Sequence, residues 1–120
     1  MEQLKHPMLT EKNTRVYHEN EADFKFGAPH HYSVVTTGSV EGVLATIAFQ
    51  EGPIQENGVN GVANEDLLGM VLDRLEHFQK GPYSCRENAL AITKIEEALM
   101  WLRKRTIARE QRGVVGTSTI

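Results

Sequence analysis

Apolar residues recur three and four positions apart from Leu90 onward: Leu90, Ile92, Ile95, Leu99 and Leu102, with Ala91, Ala98 and Trp101 beside them. That spacing marks one face of an amphipathic helix. Neither Pro nor Gly interrupts the run from Arg86 to Arg112, and good helix formers dominate it. The pattern predicts one helix over Arg86–Arg112, about 40 Å long. A rod of that length is long for so small a chain. It projects and calls for a partner along its length.

A second stripe precedes it: Leu67, Leu68, Val71, Leu72, Leu75 and Phe78. Asn64 stands in N-cap position there, with Glu65 and Asp66 in the first turn, and Gly81-Pro82 stops the helix after Lys80. The short Gly81-to-Cys85 link requires the two helices to fold back antiparallel. Ser84 reads as the N-cap of the long helix, with Glu87 completing a capping box. Upstream, the period changes to that of strands. His31 to Thr37 is rich in β-branched and aromatic residues, and Val43 to Gln50 alternates loosely, so the two predict a β-hairpin around Gly38–Gly42. Asn57-Gly58 and Asn60-Gly61 mark the loop where sheet gives way to helices. Residues 1–25 are polar and weakly patterned. A short strand at Arg15-Val-Tyr, an ordered arm and disorder all stay open. The expected architecture is α+β: an N-terminal antiparallel β-sheet followed by a C-terminal helical hairpin with one long helix. It forms a single domain over 1–120, with sheet over 1–57 and hairpin and tail over 58–118.

Charge alters this picture in one respect. The chain has 120 residues and a formal net charge of −3, which argues against a continuous basic face for duplex DNA. Residues 1–63 carry four Lys/Arg against eight Asp/Glu, whereas 64–112 carry nine against eight. Arg103, Lys104, Arg105, Arg109 and Arg112 crowd the far end of the long helix, so a local anion site is indicated. The single cysteine, Cys85, excludes an intrachain disulfide framework and suits a reducing compartment. No apolar run has membrane-spanning length and no signal-peptide core is present. The expectation is a soluble cytoplasmic protein.

Catalytic motifs are absent, and no catalytic, metal-ligating or cofactor-binding set is read. His30 and His31 would point to opposite faces of a strand, and a solvated pair is preferred. Cys85 at a helix start, without a base, reads as structural or incidental. Asp73 with Glu76, and Glu96 with Glu97, read as solvated helix faces. The start of the long helix offers free N–H groups and a positive dipole end. Arg86 and Asn88 sit there, while Phe78 and Tyr83 flank the turn and could stack on a base. Arg105 lies 17 residues beyond Asn88, about 25 Å along the helix. One small nucleotide cannot touch both within one chain. Two hairpins packed antiparallel would bring Arg105 of one copy against Asn88 and Phe78 of the other, and a two-fold would make such sites in pairs. The bland alternative is that the basic cluster only complements the helix dipole.

The run from Asn60 through Arg86-Glu-Asn-Ala-Leu-Ala-Ile-Thr-Lys-Ile-Glu-Glu-Ala-Leu-Met-Trp-Leu to the Arg112-Gly-Val-Val-Gly-Thr tail resembles the Acb/Tad hairpin domain of phage proteins. That group contains the Thoeris anti-defence sponges and the anti-CBASS cyclic-nucleotide sponges. The likeness covers residues 58–118, and the preceding sheet is similar to the Thoeris-directed branch. It implies a non-enzymatic protein in the host bacterial cytoplasm that binds immune signalling nucleotides and holds them from their effector. The implied ligands are cyclic ADP-ribose isomers and cyclic di- or trinucleotides. The implied assembly is a dimer building to a hexamer, without membrane or specific DNA. By resemblance, Phe78 and Asn88 contact the base side and Arg105 the phosphate, with Arg86, Thr93 and Arg109 added along the helix. Gly113, Gly116 and Thr117 belong to a further trinucleotide site. One departure stands out: between Arg15 and Arg74 the only Lys or Arg is Lys25, where the family pattern would add phosphate-binding cations. Lys25, His30 or His31 could take their place. The readings outside this class are a nucleotide hydrolase, disfavoured by the lack of a nucleophile–base pair, and a phage structural or nucleic-acid-associated protein using the basic helix end.

Overall fold

The computed structural model describes residues 1–38, 42–111 and 113. They fall into two compact units, Met1–Val62 and Ala63–Ile120. The first is a four-stranded antiparallel sheet in simple meander order. Its strands are β1 (Glu2–Gln3), β2 (Thr14–His18), β3 (His31–Thr36) and β4 (Val43–Ala48). The expected hairpin is β3–β4, with Tyr32 opposite Ile47 and a bulge between Val34 and Val35. The N-terminal arm is ordered: β2 pairs with β3 along its whole length, and β1 adds two residues at the edge.

Alternation assigns the two faces. His18, Tyr32 and Ile47 lie across from one another on one side, next to Val16, Val34 and Ala45. Aromatic rings continue that face. His18 meets Phe24 at 5.5 Å and Tyr32 at 6.0 Å, and Tyr32 meets Phe49 at 5.5 Å, all edge to face. Burial among these rings raises the Tyr32 phenol pKa, and the Glu19 charge adds to it.

The chain leaves β4 through a loop held by its own polar side chains. Val62 donates to the Ala48 carbonyl and accepts from Gln50 N–H, at 2.8 and 2.9 Å. Asn60 accepts from Glu51 N–H and donates to the Glu51 carbonyl, both at 2.8 Å. Gly61 is required here, because a Cβ would stand 2.4 Å from the Phe49 carbonyl. A four-residue turn of helix, α1 (Ile54–Asn57), completes the loop.

The second unit is a helical hairpin of α2 (Asn64–Gln79) and α3 (Arg86–Gln111), packed on each other. The N-cap of α2 is Ala63 rather than Asn64, which is already helical. Ala63 has no side-chain acceptor, and the end is tied instead by Asp66, whose carboxylate accepts from Ala63 N–H at 2.9 Å. The cap of α3 also differs from expectation. The helix begins at Arg86, so Cys85 rather than Ser84 takes the cap, with its Sγ accepting from Asn88 N–H at 3.4 Å. At the far end Gly113, φ +70°, donates to the Glu110 carbonyl and closes the last turn. Arg112 lies outside the described residues.

No described side chain is fully buried, apolar or polar. Ile92, Ile95, Leu99, Leu102 and Thr106 form a half-buried stripe on α3. Three residues placed on the apolar faces by periodicity are instead open: Val71 is 49% exposed, Leu90 46% and Trp101 61%. The single chain thus leaves large apolar side chains in water that a finished interior would cover.

Candidate functional site: the apex of the helical hairpin

Six residues separate α2 from α3, and Gln79 holds the ends of that turn together. Its side-chain amide accepts from Cys85 N–H at 2.9 Å and donates to the Cys85 carbonyl at 3.1 Å. Both bonds go to one residue's main chain, which fixes where α3 starts. Asn88, one turn in, donates its amide N–H to the Tyr83 carbonyl at 3.4 Å. Its amide oxygen accepts no hydrogen bond among the described residues. Tyr83 packs edge-on against Phe78, centroids 6.2 Å apart. The apex therefore brings together an aromatic pair, an oriented carboxamide and the free N–H groups of a helix start. Such a set suits a planar base beside an anionic or hydroxyl-bearing group.

Two contributors were not evident from periodicity. Gln79 occupies a helix end, where glutamine is unremarkable. Arg74 lies over the Phe78 ring, its guanidinium carbon 5.0 Å from the centroid, a cation–π contact at i,i+4 spacing. That spacing was the available signal. Arg74 adds to the apex a cation that no described carboxylate pairs.

The other expected residues lie apart. Arg86 opens α3 at the apex. Thr93 turns its hydroxyl to the Ala89 carbonyl at 3.2 Å, and Arg109 is half-buried near the far end. Arg105 is exposed on a helix of 26 residues whose partner α2 has 16. α3 is therefore ten residues, about 15 Å, longer than α2. Phe78 and Asn88 share the apex, while Arg105 stands about 25 Å from Asn88 along the axis. Gly113 caps the helix, and Gly116 and Thr117 lie outside the described residues.

The sheet unit holds its own polar cluster. Glu19 accepts from His30 N–H at 2.5 Å and contacts His31 Nδ1 at 3.1 Å. These bonds, the main-chain one foremost, lower the Glu19 pKa. Lys25 lies 3.7 Å from Glu51, so His30, His31 and Lys25 are engaged locally rather than forming an open solvated pair and a spare cation. Arg15 and Tyr17 line a groove of about 590 Å³ with Val35 and Val43. Among the described residues no group of three or more His, Cys, Asp or Glu could hold a metal ion, and no helix is long and apolar enough to cross a membrane.

A family model described as the Acb2/Tad1 hairpin domain matches residues 41–106. The chain belongs to the Acb2/Tad1 hairpin-domain family. The match takes in β4 as well as the hairpin, so the family's segment reaches further into the sheet unit than the residues that carried the resemblance. Phe78, Arg86, Asn88, Thr93 and Arg105 lie inside it; Arg109, Gly113, Gly116 and Thr117 lie beyond its end. The chain is also similar to Thoeris anti-defense 1 of Bacillus phage SBSphiJ7. The two are 49% identical over 139 aligned positions that cover 98% of each.

Proposed function

We propose that this protein is a phage anti-Thoeris protein that acts as a sponge, binding a bacterial immune signalling nucleotide and withholding it from its effector without degrading it. The observation that carries the reading is the near-full-length similarity to Thoeris anti-defense 1 of a Bacillus phage. The apex chemistry supports it. Phe78 and Tyr83 offer aromatic surface, Asn88 a held carboxamide, and Arg74 and Arg86 charge for a phosphate. Arg105 joins the same ligand from a second copy packed antiparallel, since it cannot reach the apex of its own chain. The ligand class is cyclic ADP-ribose isomers, with cyclic di- and trinucleotides as the related alternative, and sites come in symmetric pairs within a dimer or a higher multiple of it.

Calorimetric titration of the purified protein with cyclic ADP-ribose isomers and with cyclic di- and trinucleotides tests this reading. Submicromolar binding is expected for at least one of them. Chromatography of the heat-released ligand should return it unaltered; a cleaved product would replace sequestration with hydrolysis. Absence of binding across the panel would sink the reading and redirect attention to nucleic acid at the basic end of α3.

A further inference from the structure

The sheet has a second face, opposite the rings of His18, Tyr32 and Phe49. It carries Arg15, Val35 and Val43 in one cross-strand row, with Tyr17 two residues along β2. These four, with Thr36 and Thr37 at the end of β3, line the groove of about 590 Å³. That volume lies within the range of small-molecule sites, about 300–1,000 Å³. The bulge between Val34 and Val35 falls at this row, and a bulge bends its strand and re-aims side chains.

The cations of the sheet unit are not equivalent. Residues 1–63 hold four, Lys5, Lys12, Arg15 and Lys25, against eight acids. Lys5 pairs with Glu11 at 3.2 Å and Lys25 with Glu51 at 3.7 Å. The Arg15 guanidinium has no ion pair or hydrogen bond among the described residues, although acids are in excess around it. Among the described residues no carboxylate lines the groove it faces. The Tyr17 hydroxyl likewise makes no hydrogen bond to a described residue. The threonines are already engaged. Thr36 Oγ1 accepts from Gly42 N–H at 2.8 Å, and the Thr37 hydroxyl donates to the Lys12 carbonyl at 2.7 Å. The groove therefore offers two donors, a guanidinium and a phenol, beside the apolar walls of Val35 and Val43. Val43 is 66% exposed.

We propose that this groove binds a small organic monoanion: a phosphate monoester or carboxylate joined to a flat or apolar body. The planar guanidinium grips two oxygens of the anion side by side. The Tyr17 hydroxyl donates to the same group, and the body covers Val35 and Val43. The site lies within the sheet unit, shares no residue with the apex, and does not rest on the sponge reading.

Proton–nitrogen NMR of the labelled full chain, titrated with adenosine monophosphate and with benzoate, tests the proposal. Adenosine and inorganic phosphate are the controls. Saturable shifts at the Tyr17, Val35 and Val43 amides are expected with at least one of the two organic anions, and the tighter binder names the anion. Adenosine should leave those amides unmoved, and inorganic phosphate should bind at least about tenfold more weakly, for want of an apolar body. Arg15→Gln should weaken binding about 10- to 100-fold, the range of a charged hydrogen bond. Arg15→Lys should restore only part of it, since a point charge lacks the planar fork. Arg15 is exposed, so both variants should keep the wild-type spectrum elsewhere. No saturable shift with either organic anion, adenosine or inorganic phosphate binding as tightly, or shifts that persist in Arg15→Gln would each overturn the proposal. Shifts confined to the Phe78 and Asn88 amides would overturn it too, by placing the anion at the apex.

Discussion

The two units solve the problem of a small interior in opposite ways. The sheet unit is stitched by polar side chains to main chain: Asn60 across the β4 exit loop, Glu19 onto His30, and Thr37 to the Lys12 carbonyl at 2.7 Å. In the hairpin such bonds gather at the helix starts and the apex, from Asp66, Gln79 and Asn88, and the helices otherwise rest on an apolar stripe while Met100 and Trp101 stay in water. A unit stitched from within can keep its shape alone. Both units leave apolar side chains in water, Phe26 and Leu44 on the sheet unit and Met100 and Trp101 on the hairpin, so the extent of polar stitching is what separates them. Substitutions at the stitches of the sheet unit should therefore be read in stability, and substitutions in the hairpin in binding.

The largest effect should come from Arg105→Ala, which removes the cation proposed to meet phosphate in the composite site. Nucleotide affinity should fall about 10- to 100-fold, the range of a charged hydrogen bond, with unchanged circular dichroism. Unaltered affinity in calorimetry would remove Arg105 from the site. Gly61→Ala acts on the other side of the comparison. Its Cβ collides with the Phe49 carbonyl, and the sheet unit should lose about 1–3 kcal/mol, measured by urea unfolding, while nucleotide affinity holds. Equal stability would show that the exit loop can move aside. Gln79→Ala crosses the comparison, because it removes the paired bonds that fix where α3 starts. A loss of about 1 kcal/mol should accompany weaker ligand binding, as Cys85 and the start of α3 that carries Asn88 are no longer fixed.

The smallest effect is a matter of pH. The Glu19 pKa is lowered in the folded protein below 4.5, chiefly by the His30 N–H bond. A group depressed on folding stabilises the fold above its unfolded value, and that share is lost as pH falls through the folded value. The sheet unit should therefore weaken as pH drops below about 4.5, and Glu19→Gln should flatten that part of the profile. A variant whose acid limb matches the wild type would assign the pH dependence to other carboxylates.

Periodicity alone located both helices and the β3–β4 hairpin, because those elements repeat long enough to show their period. It left β1 and β2 open. Glu2–Gln3 and Thr14–His18 are too short and polar to declare themselves, and pairing with β3 is what orders β2. Helix caps were misread by one residue at both starts: Asn64 and Ser84 are good cap types, yet Ala63 and Cys85 hold the places. The hydrogen bonds of Asp66 and Gln79 override cap preference there. Phe78, Tyr83 and Asn88 were legible as neighbours of one turn. Arg74 was not, since only the fold shows its guanidinium lying over Phe78. Nor did spacing reveal that Trp101 and Leu90 point away from α2, because α3 carries apolar residues on two sides.

Gln79 and Asn88 share a trait with an evolutionary consequence. Both read only main-chain atoms across the turn, those of Cys85 and of Tyr83. Side chains from Lys80 to Ser84 are not part of that grip. Tyr83 and its neighbours can therefore be exchanged while the scaffold beneath keeps its shape, which leaves the proposed ligand surface of the apex free to vary.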